Sequence, residues 1–94
     1  MKPSTGSATV AIGYKALTAL TSGINNTAVG FQALLGLTDS GTMTAFGYQA
    51  GSGITTGSDH SVIIGNNAGT GGSGNMATSV IIGSDAFNDT GTTA

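Results

Sequence analysis

The chain contains no cysteine, tryptophan, arginine or glutamate. Without cysteine there is no disulfide framework and no thiolate metal site. Lys2 and Lys15 are the only fixed positive charges, so no basic stripe exists to hold phosphates, and nucleic acid is not an expected partner. Only 6% of residues are charged, which leaves few groups for acid–base work and argues against an enzyme. No apolar run approaches the length of a membrane span or of a signal-peptide core, so membrane insertion is not expected.

What is present is small and apolar. The 94 residues fit one domain at most. Hydrophobic residues make up 38% of the chain, too many for ordinary disorder, which combines low hydrophobicity with high net charge. Val, Ile, Thr and 17 Gly give the composition of a β-rich chain with many tight turns.

One phrase recurs along almost the whole chain. It reads TVAIGYKAL from Thr9, NTAVGFQAL from Asn26, MTAFGYQAG from Met43, SVIIGNNAG from Ser61 and SVIIGSDAF from Ser79. The aligned glycines are Gly13, Gly30, Gly47, Gly65 and Gly83, spaced 17, 17, 18 and 18 residues apart. Three residues after each stands Ala16, Ala33, Ala50, Ala68 or Ala86. A period this short has no room for two packed helices, and each phrase carries β-formers followed by turn signals such as TSGINN and TDSGT. The expected fold is all-β: a parallel β-solenoid of about five coils over 9–87, with tails at 1–8 and 88–94. The five glycines form a column of structural bend residues where a Cβ would not fit. Leu20, Leu37 and Ile54 fall in register in a second stretch of each coil, and a bulge is expected at Gly72, where that register meets GTGGSG.

Alternate strand residues point to opposite faces. One face holds Val10 and Ile12 with their equivalents in later coils. The other holds Ala11, Ala28, Ala45, Ile63 and Ile81. Only one face fits inside a narrow coil. The other leaves an apolar ladder in water, which marks an interface. The column Ala11, Ala28, Ala45, Ile63 and Ile81 is the expected contact surface of a homotrimer, and the thin core of so small a solenoid favours an obligate oligomer. The aromatics Tyr14, Phe31 and Tyr48 give way to Asn66 and Ser84 in the coils where Ala in the second column becomes Ile. Bulk therefore shifts between columns, either as repacking of one core or as a change in width along an oligomer axis.

TVAIGYKA, SVIIGNNA and SVIIGSDA resemble the Ser-Val-Ala-Ile-Gly-x-x-Ala repeat of trimeric autotransporter adhesin heads, and NTAVGFQAL and MTAFGYQAG resemble a variant found in phage tail fibres and other virion surface proteins. The resemblance covers about residues 8 to 87. It implies a left-handed parallel β-roll in a trimer with three rolls side by side. The coils are longer than the usual adhesin-head repeat, and the sequence carries no a/d heptads of an adhesin stalk.

Other constellations carry little. His60 is the only histidine, and its neighbours Asp59 and Ser61 diverge along a strand and cannot form a triad. Asp39, Asp59, Asp85 and Asp89 are scattered over different bends, and GTGGSGN lacks the Asp of a calcium-binding repeat. No catalytic residue, cofactor or metal is expected. Thr21, Thr38, Thr55 and Ser73 form a short hydroxyl column of the kind that ice-binding solenoids display, with structural stacking the favoured role. The functional expectation is a non-catalytic structural protein at the surface of a virus particle, with viral capsid or tail proteins as partners. A capsid decoration or cement protein ranks first, because the roll occupies nearly all the sequence. A short fibre or adhesin-head segment that grips a host receptor ranks second.

Overall fold

The computed structural model describes residues 8–39, 41–55, 60–70 and 80–86. They form an all-β solenoid with no helix among the described residues. Five strands of three residues each, β1 (Val10–Ile12), β2 (Thr27–Val29), β3 (Thr44–Phe46), β4 (Val62–Ile64) and β5 (Val80–Ile82), pair in sequence order as one parallel sheet. The register matches the aligned phrases: Ala11 sits beside Ala28, Ala28 beside Ala45, Ala45 beside Ile63 and Ile63 beside Ile81. The expected tails, apart from Ala8, and the bulge at Gly72 lie outside the described residues.

The strands are short because the glycine after each leaves the extended region. Gly13, Gly30, Gly47, Gly65 and Gly83 have φ between 127° and 137°, a region open essentially to glycine alone. Space is equally restrictive. A Cβ on Gly13 would lie 2.5 Å from the carbonyl oxygen of Gly30, and one on Gly30 would lie 2.5 Å from that of Gly47. Each glycine therefore rests its backbone directly on the next.

One tight turn follows each glycine, and a second follows it in the first three coils. The amide of the alanine three residues on donates to the glycine carbonyl at 3.2 Å in every repeat, as in Ala33 to Gly30. A second turn closes where Leu20 donates to Leu17, Leu37 to Leu34 and Ile54 to Gly51. Left-handed backbone makes these bends possible. The second residue after the glycine, which is Lys15, Gln32, Gln49, Asn67 or Asp85, has φ between 55° and 59°. Two positions further on, Leu17 and Leu34 have φ of 53° and 51°, and Gly51 and Gly69 take over that place. Ala8, Asn25, Thr42 and His60 repeat the conformation just before the strands. Each left-handed non-glycine costs on the order of 1 kcal/mol. The cost is offset because the first four bends are each bonded to the next coil: Leu17 donates to Ala33, Leu34 to Ala50, Gly51 to Ala68 and Gly69 to Ala86, at 2.7 to 3.0 Å.

The middle residue of each strand points inward and meets Leu20, Leu37 and Ile54 across the coil, all buried. Core volume is shared between neighbouring coils. Where Ala45 gives way to Ile63, the leucine of the bend has already become glycine. A Cβ on Gly51 would lie 2.7 Å from Leu34 Cδ2 and 3.1 Å from Ile63 Cδ1, so side chains from both neighbouring coils fill the gap. The buried Asn26 also bridges coils, its Oδ1 accepting the Met43 amide at 2.8 Å.

Gly30→Ala combines strain with a backbone collision, and Gly83→Ala, whose added Cβ would meet only Ala86 at 3.6 Å among the described residues, adds strain without that collision. Both should lose about 1 to 3 kcal/mol to backbone strain, and Gly30→Ala should lose clearly more. Urea unfolding followed by circular dichroism measures the difference, and equal losses would show that the close approach contributes nothing.

Candidate functional surface

The functional surface follows from which strand face is left outside. Ala11, Ala28, Ala45, Ile63 and Ile81 are each 9% exposed or less. They line the coil interior and present nothing to a partner, so the expected trimer contact on this column is corrected. The reason is room. Leu17, Leu34 and the Leu20, Leu37, Ile54 series occupy the space opposite the sheet, and only one side chain per strand turns into it.

The outward face carries the first and third residues of each strand. Val10, Ile12, Phe46, Ile64, Val80 and Ile82 are exposed, Val80 by 70% and Ile82 by 64%, while Thr27, Val29, Thr44 and Val62 are half-buried along the same ladders. No charged side chain interrupts this face in any of the five strands.

A column of aromatic rings follows the glycines. Tyr14 and Phe31 stack with centroids 5.3 Å apart and planes at 14°, and Phe31 and Tyr48 at 5.2 Å and 7°. All three are exposed. In the next column Gln49 Nε2 donates to Gln32 Oε1 at 2.7 Å, and Lys15 Nζ lies 5.4 Å from the Tyr14 ring centre, within cation–π range. Because the aromatics point outward and the Ala-to-Ile column points inward, the two do not exchange volume. The compensating column is Leu17, Leu34, Gly51 and Gly69.

The sequence-derived glycines do come together in one column, each packed on its successor through Gly83. The left-handed positions were not read from the sequence. Their trace is the Asn, Asp and Gly at Asn25, Asn67, Asp85, Gly51 and Gly69, the residue types that tolerate φ above zero. The threonine column bonds between coils: Thr21 Oγ1 donates to the Thr38 carbonyl at 2.9 Å and Thr38 Oγ1 to the Thr55 carbonyl at 3.1 Å. Ser73 lies outside the described residues. His60 is exposed, and its amide donates to Gly41. Asp39 and Asp85 are exposed, whereas Asp59 and Asp89 lie outside the described residues. Among the described residues no three His, Cys, Asp or Glu are grouped to hold a metal ion. The chemistry this surface offers is apolar contact.

Comparison with protein-family models, curated proteins and solved structures finds no match.

Ala28→Asp buries a charge without a partner inside the coil. It should abolish the sheet's circular dichroism at every protein concentration, an effect that a residue lying only in an interface would not produce.

Proposed function

We propose that this chain is a non-catalytic structural protein of a virus-particle surface, built as a left-handed roll of five coils that packs with two further copies around a common axis. The observation that carries the assembly is the uncharged apolar face of the sheet. Isolated apolar side chains on a surface are ordinary, but a contiguous patch running across every strand marks a contact. Association through it would add burial to a core only one coil wide. The viral setting rests on the resemblance of NTAVGFQAL and MTAFGYQAG to virion surface repeats.

Decoration of a capsid is the first reading. A rigid trimer gives three equal footprints, and several weak contacts made together hold far more tightly than one. With the sheet faces turned toward the axis, the bends are left to meet capsid or tail proteins. Attachment to a host receptor as a fibre-type segment is the second reading. It is favoured by the exposed aromatic column, since aromatic side chains are enriched at recognition surfaces.

Two measurements test the proposal. Sedimentation should give a trimer, with an unfolding midpoint that rises with protein concentration. Phe46→Asp should shift it to a monomer that keeps its sheet signal at low temperature. A wild-type chain that is a stable monomer at all concentrations would overturn the assembly. Particles made without the protein should rupture at lower temperature. Unchanged rupture with lost host adsorption would replace cement by attachment, and no change in either would reject both.

A further inference from the structure

The two ends of the solenoid are complementary to each other. Successive coils are joined on one side of the bend by a fixed pair of backbone bonds. The glycine amide donates to the carbonyl of the last strand residue in the preceding coil, as Gly30 to Ile12, Gly47 to Val29, Gly65 to Phe46 and Gly83 to Ile64. The second residue after the glycine donates to the residue following the preceding coil's glycine, as Gln32 to Tyr14, Gln49 to Phe31, Asn67 to Tyr48 and Asp85 to Asn66. At the ends this series has no continuation among the described residues. The first coil presents the amides of Gly13 and Lys15, and the last presents the carbonyls of Ile82 and Ser84. Two donors at one end match two acceptors at the other, with identical spacing.

The side chains match too. Val80 and Ile82 of the last strand are the residue types of Val10 and Ile12 in the first, and among the described residues only Ala86 comes near the place of a Cβ on Gly83. The decisive column is the second after the glycine: Lys15, Gln32, Gln49, Asn67, Asp85. Its interior members are uncharged, and Gln32 and Gln49 bond to each other. Its only charges are at the two ends, and they are opposite in sign.

We propose that a second copy of this chain adds head to tail, with the Gly13 and Lys15 amides of one copy donating to Ile82 and Ser84 of the other, and with Lys15 set beside Asp85 in register. Neighbouring strands lie about 4.8 Å apart, so the ammonium and carboxylate would meet as the two glutamines do. An exposed ion pair contributes little affinity. It selects polarity, because joining two like ends would set lysine against lysine or aspartate against aspartate. The contact is heterologous and does not close, so it extends a continuous solenoid rather than forming a ring. It uses the ends of the roll, and so stands apart from lateral packing through the sheet face.

Cross-linking tests this directly, because the native chain has no cysteine. Tyr14 and Ser84 are both exposed, share the column after the glycine, and would become neighbours across the junction at a spacing that suits a disulfide. Within one chain they are four strand spacings apart, on the order of 19 Å, too far to bridge. Mixing Tyr14→Cys with Ser84→Cys under mild oxidation should give a mixed disulfide-linked dimer, and the double variant a ladder of longer species. Neither single variant should do so alone. Lys15→Asp and Asp85→Lys should each cut the yield several-fold, and combining them in one chain should restore it. Both side chains already occupy this column at φ 59°, so the exchange is compatible with the fold. Repeating the series in the Phe46→Asp background separates end growth from lateral association. Absence of the mixed disulfide would overturn the proposal, and so would a yield indifferent to the charge reversals.

Discussion

Everything in this fold depends on one glycine carbonyl lying against the next glycine's backbone. A Cβ on Gly13, Gly30, Gly47 or Gly65 would come within 2.5 to 2.7 Å of the carbonyl oxygen below it, so the column admits no side chain. Its φ values admit none either. That contact fixes where each strand ends and the height at which each bend begins. It also holds the strands in the register that aligns Val10 with Thr27 and Thr44 with Val62. A slip of one residue would place Ile12 or Tyr14 over glycine and turn every side chain to the other face.

Within that frame the side chains adjust. Inside, Ala45 and Gly51 leave room that Leu34 and Ile63 enter from either side, so the core is packed between coils rather than within each one. Outside, the ladders need only avoid clash, and they drift from Tyr14, Phe31 and Tyr48 to Asn66 and Ser84 without disturbing the backbone. The interior column is held to a volume, and the exterior columns are free to carry a surface. This separation lets one scaffold present an apolar sheet face beside a column that runs from stacked aromatics to polar residues.

The architecture was legible in the sequence because a solenoid writes its geometry as a period. The spacing of Gly13 through Gly83 places all five strands and their register, and Leu20, Leu37 and Ile54 mark the far wall of the coil. The choice of face was not legible. Both ladders of each strand are apolar, and alternation separates them without saying which is inside. Ala28 lies inside because the bend supplies Leu34 and Leu37 opposite it, a fact that depends on the path of the turn. That path rests on left-handed residues such as Lys15 and Leu17, whose types do not announce the conformation. Asn26 is similarly opaque: its side chain is buried and spans to Met43, yet in sequence it reads as part of a polar turn.

The short offset of 17 or 18 residues between partners has a consequence for how the chain reaches this structure. Strand partners are never far apart in sequence: Val10 finds Thr27, and Val62 finds Val80. Closing such a loop carries the same modest entropy whether it joins the first pair or the last. The search does not lengthen as coils are added, so relative contact order falls as the array grows. Once one pair of coils has formed, the next can add to its edge without waiting for a distant segment, in the manner of a one-dimensional array. A polypeptide leaving the ribosome could complete each coil against the one already made, in the order in which it is synthesised.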